Sequence, residues 1–178
     1  MLLVQLGISN YVVKLVITDI DTGIYHFGVI HWLSKFGTVY GLSLLNVHFG
    51  FPSSWFALAA PLSSDQFGFR FVTFTGGLVM TLLVFHLILA SSRCLSGQGK
   101  RCDWFSVFYF LLSLPFVIYT SAAISPTPNF PLYVYPLIVG WSFLILYERR
   151  KINRRSCSLI DLIPMLLAIG AFNIKLGA

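Results

Sequence analysis

Long apolar runs, separated by two short basic loops, constrain the fold of this chain more than any other feature. The runs cover residues 71–90, 104–123, 132–147 and 157–176. At 1.5 Å per helical residue, a run of about twenty residues reaches roughly 30 Å, the thickness of a bilayer's hydrocarbon core. The 132–147 run is slightly short by this measure. A fifth run, residues 1–18, is marginal because Gln5, Asn10 and Lys14 interrupt it. Only 10% of the 178 residues are charged, against roughly 25% in a soluble domain. A water-facing surface cannot be built from so few charges. The expected class is therefore all-α: a polytopic transmembrane helical bundle of four to five spans, one membrane domain over residues 1–178. The N-terminus has neither a basic leader nor a small-residue cleavage site, so it does not read as a cleaved signal peptide.

Charge gives the orientation. Arg93, Lys100 and Arg101 sit in one short loop, residues 91–103. Arg149, Arg150, Lys151, Arg154 and Arg155 lie in or beside another, residues 148–156. Basic clusters between apolar spans mark the cytoplasmic side, so they argue against nucleic acid as a partner. Segment 19–70 and loop 124–131 then share the outer side. Cys94, Cys102 and Cys157 fall in or beside the basic loops, on the reducing side, without a zinc spacing. They read as inert thiols.

Segment 19–70 is the long part that does not read as a plain span. Residues 22–36, TGIYHFGVIHWLSKF, are expected to form a short helix capped by Asp21 or Thr22 and lying on the outer membrane surface. Gly37, Gly41 and Gly50 mark a loop that turns sharply. Pro52 is expected to open a second short helix that stops near Pro61, too short to span and hence interfacial or re-entrant. Further on, Pro115 is expected to kink its span.

The residues with chemistry are few. Asp19 and Asp21 follow the first run directly. A carboxylate there can bind a metal ion or take a proton from a hydroxyl, and it can equally be a helix N-cap. His26 and His31 are five apart, which is not the i, i+4 spacing of a helical metal pair. His48, near Asn46 in the Gly-flanked loop, can touch a phosphate or a sugar hydroxyl, or simply pack at the interface. His86 and Asp161 are ionisable residues inside spans. Both lie near the inner ends, and Asp161 is within reach of Arg154 or Arg155, so both read as structural. Ser53 and Ser54 lack the GxSxG setting of a hydrolase elbow.

The pieces DTGIYH, IHWL, GLSLLNVHFGF and SSWFALAAPL, with the later SPTPN and the terminal FNIKLGA, carry a family resemblance. They resemble the first outer loop of large bacterial polytopic membrane proteins whose members read close to D-T-G-L-Y-H, then G-L-x-N-L-H-x-R-L-x-F-x-S-S. Those proteins are similar to the GT-C class of glycosyltransferases, which use polyprenyl-phosphate-linked sugars. The resemblance implies a multi-pass protein of the bacterial inner membrane that transfers a sugar from a lipid-phosphate donor on the outer face.

It also implies residue roles. Asp21, or else Asp19, takes the place of the acidic residue at the catalytic centre. His26, Asn46, His48 and Asn129 match positions that line the substrate site. Asn129 stands where the family often has an acidic residue in an S-P-x-x-D pattern, and Phe49 stands where it usually has a basic residue or a neighbour of one. The resemblance allows a divalent metal ion as cofactor. GT-C proteins have many more spans than four or five, so the chain is expected to be the N-terminal part of a longer enzyme. Its partners would be membrane lipid, the lipid-linked sugar and a companion membrane chain that supplies the remaining spans. The alternative is a non-catalytic membrane subunit or scaffold, or an inactive remnant.

Overall fold

In the computed structural model, described over residues 20–50, 53–63, 69–119, 125–152 and 159–174, every regular element is helical. Seven α-helices occur among the described residues. Three are short and lie toward the N-terminus: α1 (Phe27–Phe36), α2 (Leu42–Leu45) and α3 (Ser54–Ala59). Four follow: α4 (Phe74–Leu95), α5 (Arg101–Tyr119), α6 (Asn129–Ile152) and α7 (Ile163–Ile174). The helical stretches Phe71–Leu95 and Asn129–Lys151 are apolar and long enough to cross a membrane. Helix α5 has 19 residues and continues through Pro115, while α7 has 12 and is led in by a 3-10 turn, Leu159–Leu162.

The long helices extend beyond the apolar runs. α4 continues through Arg93 to Leu95, and α6 continues through Glu148, Arg149, Arg150 and Lys151. Charge marks these stretches as leaving the apolar layer, but Glu, Arg and Lys are good helix formers. Cations in a last turn also offset the negative end of the helix dipole. At its other end α6 starts at Asn129, with Pro131 in the first turn. Proline is tolerated there because its missing N–H would have had no helical partner.

Asp21 does not cap α1. A π-helical turn, Thr22–His26, leads into α1; Asp21 before it has helical dihedrals and makes no side-chain cap bond. The cap of α3 is Ser53: its backbone is extended, and its hydroxyl accepts the Trp55 N–H at 3.2 Å. Such a cap contributes about 1 kcal/mol. Pro52 lies outside the described residues, and Pro61 falls in the 3-10 turn Ala60–Leu62 that follows α3. Gly37 (φ 65°) and Gly41 (φ 81°) bracket the turn between α1 and α2. A side chain at either would strain the left-handed backbone.

Two apolar cores form among the described residues. In the N-terminal segment, Val29 and Ile30 of α1 pack with Phe56 and Ala59 of α3, Ala60 and Val72. In the bundle, Leu83 and Leu87 of α4 meet Phe130, Val134 and Leu137 of α6, with Phe105, Tyr109 and Phe110 of α5 against them. Gly140 lets α5 and α6 approach: a Cβ there would lie 2.6 Å from the Phe105 ring. Helices adjacent in sequence pack as neighbours from α4 to α7, as short connections dictate. α7 also touches α3, where the Ser53 hydroxyl donates to the Ile174 carbonyl.

Candidate functional site

The DTGIYH and SPTPN motifs, about a hundred residues apart, meet through one side-chain bond. Thr22 Oγ1 is hydrogen-bonded to Ser125 Oγ and also lies 3.2 Å from His26 Nδ1. The three residues are almost completely buried, with His26 only 1% exposed. The turn after Ser125 is closed by its own side chains. The Thr127 N–H donates to Ser125 Oγ at 3.2 Å, and the Asn129 N–H donates to Thr127 Oγ1 at 3.3 Å. Ser125 thus ties α1's leading turn to the start of α6. A buried polar group without a partner costs about 1–3 kcal/mol, so each member of this relay depends on the others.

Around the relay the other expected residues fall at different depths. Tyr25 packs its ring edge-on to His26 at 4.3 Å and stacks on His48 at 5.2 Å. His48 is exposed, and its N–H donates to Asn46 Oδ1 at 3.0 Å in a tight turn. His26, Tyr25, His48 and Asn46 are therefore one connected group. Asp21 and Asn129 are both exposed, one residue before Thr22 and four after Ser125. His31 is half-buried farther along α1. Asp19 lies outside the described residues. Asp21, His48 and Asn129 are thus exposed, while His26 is buried.

Thr22 and Ser125 are the residues that sequence reasoning missed. A Thr four positions before a His in DTGIYH puts both on one side of a helical turn, which was a usable signal. Ser125 gave none, because its partner is remote in sequence. Among the described residues, no three His, Cys, Asp or Glu side chains come together as a metal site. Asp21, His26 and Asn129 as placed do not fit a divalent ion: one is buried against Thr22 and one is an amide.

A second polar cluster sits at the α4–α5 turn. His86 Nε2 lies 3.0 Å from Ser106 Oγ, and the His86 ring meets the Trp141 ring edge-on at 5.1 Å. Arg93 donates to Asp103 through both Nε (3.0 Å) and Nη2, and the Lys100 N–H donates to the same carboxylate at 3.1 Å. Asp103 lies in the first turn of α5, before the apolar run that starts at Trp104. Burial pushes its carboxyl up, but the hydrogen bonds from Arg93 and Lys100 and the Arg93 charge outweigh that and hold it below its usual range. Asp161 pairs with Arg150 at 2.8 Å. Arg154 and Arg155, the partners expected for it, lie outside the described residues. These contacts join neighbouring helices and read as structural.

A family model described as "Domain of unknown function (DUF8201)" matches residues 1–178, the whole chain, and the chain belongs to that family. No curated protein and no solved structure matches it.

Proposed function

We propose that this DUF8201 chain is a GT-C-like glycosyltransferase module of the bacterial inner membrane, with four to five spans. It transfers a sugar from a polyprenyl-phosphate donor to an acceptor hydroxyl on the outer face. The observation that carries the reading is the Thr22–Ser125 bond, which draws the DTGIYH and SPTPN motifs into one place. The two span-length helices support the membrane setting, and the basic loops at 91–103 and 148–156 are consistent with both motifs lying on the opposite, outer side.

In this reading the Asp21 carboxylate takes the proton of the acceptor hydroxyl as its oxygen bonds to the sugar's anomeric carbon. The bond from that carbon to the donor phosphate breaks, and the lipid phosphate leaves with the electron pair. His48 and Asn46 hold sugar hydroxyls, and Asn129 orients the acceptor by hydrogen bonding. His26 positions Thr22 and Tyr25 from below. A companion membrane chain completes the donor cavity.

The second reading is a non-catalytic subunit or scaffold, and a specific observation favours it. Asn129 is an amide where the resembling family carries an acid, so Asp21 has no carboxylate partner there. One assay separates the two. Membranes carrying the chain and any companion are supplied with a radiolabelled polyprenyl-phosphate sugar pool. The transferase reading expects label in a new product, lost in Asp21→Asn. Absence of transfer by correctly inserted protein leaves the scaffold.

A further inference from the structure

Between Lys35 and Asp65 the sequence holds no Asp, Glu, Lys or Arg. The structure folds this uncharged stretch around a groove of about 640 Å³, within the roughly 300–1,000 Å³ of small-molecule pockets. Its walls include Val29, Leu33, Phe49, Phe56 and Ala57, and Asn173 of α7 lies at its edge. Among the described residues, no charged side chain lines it. The turn between Gly37 and Gly41 forms one lip.

The outer surface of that lip is also apolar. Tyr40 is 96% exposed and Leu44 90%, with Phe36, Val39, Leu45 and Val47 exposed beside them. Apolar patches this continuous are avoided on water-facing surfaces. Here the patch is continuous with the groove, in a chain whose α4 and α6 are long and apolar enough to cross a bilayer. The medium that covers the patch is therefore the medium at the groove's mouth.

We infer that this groove takes the acyl chain of a bilayer phospholipid, which enters sideways past the Gly37–Gly41 lip. The chemistry of the walls selects among ligands. A phosphate or carboxylate needs a guanidinium, an ammonium or a cluster of N–H donors, and the described lining has no cation. A hydrocarbon chain needs none of these, and gains from every apolar wall atom it covers. The hydroxyls of Ser54 and Tyr40 and the Asn173 amide, all in the lining, suit the ester oxygens of a lipid whose tail lies inside. The left-handed glycines at both ends give the lip backbone freedom that other residues lack. The groove adjoins the His26 group, whose ring lies 5.4 Å from that of the wall residue Phe56, but the inference rests on the apolar lining and does not depend on sugar transfer.

The test uses the full chain in phosphatidylcholine vesicles containing a phosphatidylcholine with a photoactivatable diazirine midway along one acyl chain. After irradiation, adducts are mapped by mass spectrometry. The expected result is adducts on Phe49, Phe56 or Ala57 as well as on the exposed faces of α4 and α6. Ala57→Trp fills the groove and lowers the groove adducts severalfold, while adducts on the exposed Leu82 of α4 stay unchanged and serve as the insertion control. Ala57→Leu, a smaller filling, gives an intermediate loss and stands in if the Trp variant fails to insert. Adducts confined to the long helices, or groove adducts unaffected by both fillings, would overturn the inference and leave the groove to a polar ligand or a protein partner.

Discussion

Two histidines anchor the molecule's two polar clusters, and they are held in opposite ways. His26 is buried in an uncharged relay of hydroxyls, Thr22 and Ser125, that joins segments 103 residues apart. His86 bonds a nearby serine beside an ion pair, Arg93–Asp103, at the turn between two consecutive helices. The first cluster is long-range and neutral; the second is local and charged. The local one fixes a helix hairpin that its short loop already favours. The long-range one, with the Ser53–Ile174 bond, helps to dock the N-terminal segment on the later helices.

The largest effect should come from the charged cluster. Asp103 is buried and accepts three hydrogen bonds, two from Arg93 and one from the Lys100 N–H. Asp103→Ala should destabilise the protein by about 2–4 kcal/mol, the lower part of that range applying because Arg93 is partly exposed and can be solvated. The readout is the thermal unfolding midpoint in detergent micelles, and an unchanged midpoint would erase the distinction between the clusters.

Next is the neutral relay. Thr22→Val keeps the shape and removes the hydroxyl, so it should cost about 1–3 kcal/mol. Combined with Ser125→Ala, the loss should fall short of the sum by about 0.5–3 kcal/mol, because both variants break one bond. Strict additivity in this double-mutant cycle would mean that the two motifs do not couple.

Smaller still is Gly140→Ala, where a methyl group meets the Phe105 ring. Phe105 has to turn aside, at a cost of about 1 kcal/mol, the mild end of overpacking. The change should lower stability while leaving the relay's coupling energy intact.

The last prediction concerns pH. The Asp103 carboxyl is held below its usual range when folded, so the unfolded chain binds its proton first as pH falls. Its contribution is complete above the ordinary Asp value of about 3.9 and is lost as pH drops through the lower folded value. Asp103→Asn should flatten the acid limb of stability below that point.

These contrasts also mark what could be read from the sequence. The runs at 71–90 and 132–147 lie within the two span-length helices, because unbroken apolar residues leave few alternatives to a helix. Helix ends were less legible. Glu148–Lys151 signalled a loop by charge, yet they continue α6, because charge reports solvent and says nothing against helix. Asp21 had the composition of a cap, but the turn starts before it, and backbone geometry rather than residue type decided. DTGIYH stood out as a motif, and His26 with it, but the burial of His26 depends on Ser125, which no local pattern links to it. Contacts such as Ser53 to Ile174 are hidden for the same reason.

The central claim is that the two motifs form one place in the inserted protein, and a crosslink tests it most directly. In a chain with its native cysteines replaced by serine, Thr22→Cys and Ser125→Cys put two thiols where two bonded hydroxyls stand. Oxidation of intact membranes with copper–phenanthroline, followed by proteolysis and mass spectrometry, should yield the linked 22–125 peptide. Pairing Thr22→Cys with Ser96→Cys, in the turn beyond α4, should yield none. Absence of the 22–125 link in inserted protein, or equal linking to position 96, would contradict the account.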